Sequence, residues 1–240
     1  MAIHVNTDDL TMPQPLSIYT PFVDKNSRMD TASSTGIVER RKASDFIKHL
    51  PARNLHHGIR LASSLGLTLN LFVSINFSLT DCPEDSVDIA FAKVREHYGK
   101  WIRRPRKAAS EHQAPPTFVW VIENPDGCLN AHWLLHVPAA RLDEFPTKLD
   151  RWLGAAAGTV YSDKAIHIEP AITPTSVGKY MLKGEYPSLA REFGIRPVYQ
   201  GWVTGKRIGC SKNVGPYQVA EMRKQGKHPP ARRWVPGRWK

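Results

Sequence analysis

Residues 116–138 read PTFVWVIENPDGCLNAHWLLHVP and are the most informative part of the sequence about the fold. Residues 117–123 are apolar and rich in β-branched and aromatic side chains, which is typical of a strand. The sequence Asn-Pro-Asp-Gly at 124–127 predicts a tight turn, because proline presets φ and glycine accepts a positive φ. Residues 130–137 provide the return strand. The stretch therefore predicts a β-hairpin.

The two faces of the return strand differ in polarity, because side chains alternate between faces along a strand. One face is apolar, and we expect it to be buried. The other carries two histidines and an amide, close to Glu123 at the end of the preceding strand, and it is the candidate functional surface. The apolar face consists of Ala131, Trp133, Leu135 and Val137, and the other consists of Asn130, His132, Leu134 and His136.

Length and composition indicate one domain with tails. A chain of 240 residues buries a sizeable core. It has no apolar run of the roughly 18 residues that a membrane span needs, and its first residues lack the features of a signal peptide. The three cysteines are isolated, which favours neither a disulfide framework nor a zinc site. We expect a cytoplasmic protein with no membrane partner.

The positive charge is concentrated near the C-terminus. The net charge of the chain is +11, and residues 201–240 contain ten Lys/Arg and one Glu. Arg232 and Arg233 precede Trp234, and a similar pairing recurs at the very end of the chain. Cations attract phosphates and indoles stack on bases, so this segment predicts nucleic-acid contact. The alternative is a solvated basic tail that aids solubility.

The remaining segments predict an α+β fold. Residues 1–45 are polar and broken by proline, which predicts a flexible arm. Residues 46–220 form the folded domain, and residues 221–240 form a basic tail. Within the domain, the hydrophobic periodicity predicts the following elements. Helices are expected at 46–65, with an interruption at Pro51, at 87–104, at 141–158 and at 175–183, and further strands are expected at 67–77 and 164–169.

The central six elements follow the order strand, helix, strand, strand, helix, strand. This order is that of the split βαβ, ferredoxin-like arrangement. It predicts an antiparallel sheet with the two helices on one face and the other face left open. The polar side chains of the return strand are expected on the open face.

Three stretches together resemble a known family. They are LFVSINF at 71–77, VIENPDGCLNAHWLLHVP at 121–138 and SVGKYMLKGEY at 176–186, with KRIGCSKNVGP at 206–216 as a further match. In order and spacing they resemble the first strand, the metal-binding hairpin and the catalytic helix of the HUH endonucleases. More narrowly, they resemble the rolling-circle replication initiators of bacterial plasmids and phages.

The resemblance implies site-specific nicking and strand transfer on single-stranded DNA at a replication origin. Tyr180 is then the nucleophile, and the Lys183 ammonium favours the ionised form of its phenol or neutralises the charge that develops on the phosphate. Mg²⁺ or Mn²⁺ is the implied cofactor, with Glu123, Asn130 and His132 as metal ligands, and His167, expected on the strand next to that of His132, is a possible additional ligand. Helicase and polymerase are expected from the host, because the chain has no Walker A motif. The expected DNA-contacting cations are Lys179, Lys206, Arg207, Lys212, Arg232 and Arg233.

The chain departs from the family pattern at one ligand position. The family has His-hydrophobic-His on one strand, whereas this chain has Asn130-Ala131-His132. His136 lies about 13 Å along the strand from His132, at about 3.3 Å per residue, and is too far to replace the missing ligand. Two alternatives follow. The domain is a binding module that has lost cleavage, or it is a metal-dependent phosphoesterase that uses water in place of Tyr180.

Overall fold

A computed structural model of the chain describes residues 41–105, 114–191 and 194–227. The chain divides into two units, Met1–Glu39 and Arg40–Lys240, and all described residues belong to the second. Most of the predicted arm, and the predicted tail from residue 228 onward, lie outside the described residues.

A five-stranded antiparallel sheet forms the centre of the fold, which is α+β as predicted. The strands of the fold are β1 (Ala43–Ser44), β2 (Leu71–Asn76), β3 (Phe118–Glu123), β4 (Asn130–Leu135), β5 (Ile166–Pro170), β6 (Val203–Thr204) and β7 (Ile208–Cys210). The spatial order in the five-stranded sheet is β5-β2-β4-β3-β7, and the short strands β1 and β6 pair separately.

The helices agree with the predicted periodicity in three places and differ in one. Those predicted at 87–104, 141–158 and 175–183 are confirmed. The predicted interruption at Pro51 is wrong, because this proline occupies the first turn of a continuous helix, where its missing N–H is not needed. The helices are α1 (His49–Ser64), α2 (Val87–Ile102), α3 (Phe145–Ala157), α4 (Pro174–Met181), α5 (Pro187–Ala190) and α6 (Pro216–Lys224).

The predicted hairpin is present. Strands β3 and β4 pair antiparallel, with Trp120 opposite Trp133 and Glu123 opposite Asn130. The turn between them contains Asp126 with φ of 52°, a left-handed conformation that aspartate tolerates better than most residues. The indoles of Trp120 and Trp133 are completely buried. The register therefore places Asn130 and His132 on the face opposite the tryptophan core.

Helices cover both faces of the sheet, so the prediction of an open face is wrong. Helices α2 and α3 pack over the tryptophan face. Helices α1 and α4 pack over part of the other face, where Leu55 and Met181 meet Phe72 and Leu134. All six residues of β3 are buried, which is typical of a strand covered on both sides. Only the polar end of this second face is left for a site.

The folded region extends past both predicted domain boundaries. Strand β1 pairs with β6, so ordered structure begins before residue 46. Helix α6 continues through residue 221, where the basic tail was expected to begin. Within the described ranges, no helix combines the length and apolarity needed to cross a membrane.

Candidate functional site

Four of the predicted site residues meet at the polar end of the second sheet face. The Lys183 ammonium donates to Tyr180 Oη at 3.0 Å and to Glu123 Oε1 at 3.1 Å. The same carboxylate oxygen lies 2.7 Å from His132 Nε2. Glu123 comes from the end of β3, His132 from β4, and the other two from α4 and the turn after it. The fold therefore joins residues that are up to 60 positions apart in sequence.

His132 is held on several sides. Its ring stacks on Phe72 and meets the Tyr180 ring edge to face, with centroid separations of 5.4 and 5.6 Å. Its Nδ1 lies 2.9 Å from Ser74 Oγ, on the neighbouring strand β2. Because the ionised Glu123 only accepts, Nε2–H donates to it, and in the neutral imidazole the Ser74 hydroxyl then donates to Nδ1. The imidazole is only 6% exposed, so its orientation is fixed by packing.

Glu123 is a buried carboxylate with an unpartnered oxygen. The residue is 3% exposed. Burial raises its pKa, but the hydrogen bonds and charges of His132 and Lys183 outweigh that effect, so the pKa of Glu123 is lowered overall. Both donors bind Oε1. Among the described residues, Oε2 has no hydrogen-bond partner. A buried acceptor without a donor is costly, and this oxygen is the position at which a cation or a water is expected.

Lys183 links the buried carboxylate to a half-exposed phenol. Tyr180 is 49% exposed, and Lys183 follows it by three residues, just after the end of α4. Burial lowers the pKa of Lys183, but the hydrogen bonds to Tyr180 and Glu123 more than offset this effect, so the pKa is raised. The side chain is therefore an ammonium at neutral pH. A fixed cation beside the phenol oxygen favours negative charge there.

Asn130 lies beside these groups but is not bonded to them. It is directly opposite Glu123 in the β3–β4 register. Side chains at such positions lie on the same face with Cβ atoms about 4.5–5.5 Å apart. Its amide NH₂ donates to the Cys128 carbonyl at 2.8 Å. The structure thus places Asn130 at the site, with its NH₂ group engaged in a hydrogen bond to the turn.

The donor atoms of Glu123, His132 and Asn130 are of the kinds that bind a hard divalent cation. In the described part of the chain, no three His, Cys, Asp or Glu side chains cluster as a metal site. Beyond Glu123 and His132, a third protein ligand would therefore be the Asn130 amide oxygen. Carboxylate and amide oxygens suit Mg²⁺ or Mn²⁺. Ser74 accepts as well as donates, so it also holds the tautomer in which Nε2 is free to bind a metal.

Neither of the two other histidines considered at this face joins the site. His136 Nδ1 lies 2.8 Å from the Thr68 carbonyl oxygen, away from Glu123. His167 was expected on the strand next to His132, but β2 lies between their strands and that expectation is wrong. The His167 ring is exposed and pairs with Glu169 at 3.5 Å.

Among the described residues, the predicted DNA-contacting cations fall into two groups, exposed and buried. Lys179, Lys206 and Lys212 are exposed. Arg207 is 4% exposed, and its guanidinium donates to the carbonyls of Ser44, Gln200 and Gly201 at 2.8–3.0 Å. The prediction that Arg207 contacts DNA is therefore wrong, and its side chain has a structural role. Arg232 and Arg233 lie outside the described residues.

Sequence inspection missed two neighbours of His132, Ser74 and Phe72, and one aromatic cluster. Ser74 is opposite His132 in the β2–β4 register, so correct strand pairing identifies it. The cluster consists of Phe46, Tyr186 and Tyr199, in which the ring centroids of the two tyrosines lie 4.9 and 5.8 Å from that of Phe46. We refer to these three residues as the aromatic surface.

The aromatic surface lies next to the candidate site. Tyr186 and Tyr199 are each about half exposed. The Val198 N–H, beside Tyr199, donates to the Lys183 carbonyl at 2.8 Å. Nothing in the local sequence indicates this cluster, because its members come together only through tertiary structure.

Comparisons with protein-family models, with curated proteins and with solved structures find no match to this chain.

Proposed function

We propose that this chain is a site-specific DNA endonuclease and strand transferase that acts on single-stranded DNA through Tyr180 and initiates replication of a plasmid or phage. One observation carries the proposal. Lys183 contacts both the exposed phenol of Tyr180 and the buried carboxylate of Glu123, which in turn holds His132. A structural tyrosine has no need of a partly buried cation that is itself positioned by a carboxylate.

The topology supports the proposal. Strands β2, β3, β4 and β5 with helices α2 and α3 have the order strand, helix, strand, strand, helix, strand. Their spatial order, β5-β2-β4-β3, is the one expected of a split βαβ unit, to which β7 adds an edge strand. The histidine is on a central strand and the tyrosine on a later helix, as in the HUH endonucleases that the sequence resembles.

The proposed reaction is a transesterification. The Tyr180 oxygen attacks the phosphorus of a DNA phosphodiester, and its phenolic proton passes to solvent. The bond from phosphorus to the 3′ oxygen breaks, and that oxygen takes up a proton to become a free 3′-hydroxyl. Tyr180 is then linked to the 5′ phosphate. Attack by another 3′-hydroxyl reverses the chemistry and completes strand transfer.

Each side chain of the site has a distinct task in this scheme. Lys183 stabilises negative charge on the phenol oxygen and on the phosphate as the bond forms. Glu123 fixes the positions of Lys183 and His132, while Phe72 packs against the imidazole ring. Glu123, His132 and Asn130 are the residues that would hold Mg²⁺ or Mn²⁺, which supplies Lewis acidity toward the phosphate oxygens. The aromatic surface offers rings on which flanking bases stack.

A binding module with no cleavage is the second candidate. The observation that favours it is the hydrogen bond from the Asn130 amide to the Cys128 carbonyl, because an uncharged side chain occupied by the turn is a weak ligand. In this candidate, the same surface and the exposed lysines hold a DNA or RNA strand without breaking it.

The test is a cleavage assay on labelled single-stranded fragments tiled across the DNA molecule that encodes the protein, with Mn²⁺ present. The variant is Tyr180→Phe, which keeps the ring and removes only the nucleophilic oxygen. Tyr217→Phe is the matched control, because Tyr217 is a highly exposed tyrosine on α6. Products are separated on a denaturing gel that resolves free strands from protein-linked ones.

The proposal expects a protein-linked band that needs Mn²⁺, is absent in Tyr180→Phe and persists in Tyr217→Phe. Strand binding with no cleavage of any tiled fragment would favour the binding module. Metal-dependent cleavage without a protein-linked band, retained in Tyr180→Phe, would favour hydrolysis by water.

A further inference from the structure

A cleft of about 330 Å³ opens between helices α2 and α3. These helices cover the tryptophan face of the sheet, whereas Tyr180 belongs to the helix layer on the other face. The volume is within the range of small-molecule sites, at its lower end. The cleft is therefore separate from the site around Tyr180, and the proposed reaction leaves it without a role.

The lining of this cleft is strongly basic. It includes His97, Lys100 and Arg104 from α2 and its end, and Lys148 and Arg151 from α3, with no acidic side chain. Among the described residues, Lys100 forms an ion pair with Glu96 at 2.6 Å, whereas Arg104, Lys148 and Arg151 form no ion pair. Like charges gathered in one concave site repel one another and favour an anion.

The positions of the cations on the helices strengthen this inference. The negative end of the α2 macrodipole accounts for Lys100 and Arg104 without any ligand. It does not account for Lys148, the fourth residue of α3 (Phe145–Ala157), or for Arg151, at the midpoint of that helix. A cation at the end of the first turn, as at Lys148, is disfavoured by the dipole. An anion between the two helices would offset that cost.

An indole lies among these charges. Trp152 lines the cleft and is only partly buried, and Trp101 forms the rest of its aromatic wall. The Trp152 ring meets Trp101 edge to face at 5.5 Å and Phe145 at 6.3 Å. These contacts hold the ring in place, so stacking on it costs little conformational entropy. An aromatic wall with surrounding cations matches a ligand that is both planar and anionic.

We propose that the cleft between α2 and α3 binds a nucleotide, with its phosphate among Arg104, Lys148 and Arg151 and its base against Trp152. The nucleotide is either free or part of a nucleic-acid strand. The proposal is independent of the chemistry at Tyr180, because no residue is shared between the two sites.

The experiment follows the indole N–H resonance of Trp152 by NMR, with Trp152→Phe used to assign it. Deoxyadenosine monophosphate, a ten-nucleotide oligodeoxyadenylate and pyrophosphate are titrated separately. The variant is Lys148→Glu with Arg151→Glu. The matched control is Lys93→Glu with Lys164→Glu, which changes the net charge equally at exposed positions that are not among the cleft-lining residues. Circular dichroism checks folding, and single alanine variants at 148 and 151 replace the pair if it does not fold.

Both nucleotide forms are expected to shift the Trp152 resonance, and the cleft variant is expected to weaken the binding about tenfold or more, because charged hydrogen bonds to the phosphate are removed. The affinity of the control variant for the nucleotide should be within twofold of that of the unchanged protein. Equal affinity for the mononucleotide and the oligonucleotide identifies a free nucleotide, and much tighter oligonucleotide binding identifies a strand. Pyrophosphate binding as tight as that of the nucleotide, or nucleotide affinity unchanged in the cleft variant, would overturn the proposal.

Discussion

At the scale of single residues, Lys183 is the side chain that connects the buried and exposed halves of the candidate site. Its ammonium reaches Glu123 Oε1 and Tyr180 Oη at nearly equal distances. The turn after α4 fixes its backbone, since its N–H donates to the Tyr180 carbonyl at 3.1 Å. Under the proposed function, removal of Lys183 is therefore expected to affect chemistry more than binding.

We predict that Lys183→Met lowers the rate of strand cleavage by about 10²–10³-fold, the usual loss when one preorganised donor is removed. Affinity for the same strand should change far less, because many other cations contribute. Single-turnover cleavage and equilibrium binding, measured side by side, check the prediction. Lys164→Met, at an exposed lysine, is the control. An unchanged cleavage rate in Lys183→Met would contradict the assigned role.

The lowered pKa of Glu123 predicts a dependence of stability on pH. A carboxylate whose pKa is depressed in the folded state stabilises the fold above its unfolded pKa, near 4.3, and this contribution is lost as the pH falls through the folded value. Glu123→Gln cannot titrate. In metal-free buffer, the stability advantage of the unchanged protein over Glu123→Gln should therefore shrink below about pH 4.3. Urea unfolding at several pH values measures it, and a difference that is independent of pH would refute the prediction.

At the scale of elements, the approach of α4 to α1 sets the position of Tyr180. Gly178 allows this approach, because a Cβ atom there would overlap with Ile59 Cδ1. We predict that Gly178→Ala lowers the free energy of unfolding by about 1–2 kcal/mol, since overpacking outweighs the gain in helix propensity. Urea unfolding measures the change.

A second substitution and a matched glycine test that explanation. Ile59→Val removes the methyl group that would clash, so the double variant should lose less stability than the sum of the single changes. Gly154→Ala, on α3, adds a methyl group where no atom lies within 4 Å, so helix propensity should raise stability there. If the stability losses of Gly178→Ala and Ile59→Val were strictly additive, the clash with Ile59 would not be the cause of the loss at Gly178.

The hairpin and most helices could be predicted because their signals are local. The Asn-Pro-Asp-Gly turn fixes the register, and the register determines that His132 lies opposite the tryptophan core. Tyr180 and Lys183 were predicted through their spacing and the family resemblance, and the structure places them together. Their chemical roles stay predictions.

What the sequence did not predict depends on tertiary packing. The covered second face was not predicted because the histidines of β4 indicated a polar surface, although β3 lacks a clean polar alternation. Arg207 was misassigned because a basic residue in a loop gives no sign that buried carbonyls will surround it. The aromatic surface joins Phe46 to residues 140 and more positions away, and no local pattern predicts such a contact.

At the scale of the whole molecule, the excess of positive charge leads us to expect a polyanionic partner. The net charge is +11, and residues 228–240 contain four Lys/Arg and no acidic residue. We predict that a chain ending at Lys227 binds single-stranded DNA more weakly and with a salt dependence whose slope is reduced by up to about 3, at roughly 0.7 for each phosphate that the tail no longer neutralises. Anisotropy titrations across a salt series measure the slope. An unchanged slope would show that the tail does not bind DNA.

The most direct test of the central claim is the identity of the residue that becomes linked to DNA. The protein is incubated with a cleaved fragment and Mn²⁺, the DNA is digested with nucleases, and tryptic peptides are analysed by mass spectrometry. We expect a nucleotide adduct on Tyr180, in the peptide that begins at this residue and ends at Lys183 if trypsin cleaves after Lys179. An adduct on another tyrosine, or cleavage that leaves every peptide unmodified, would contradict it.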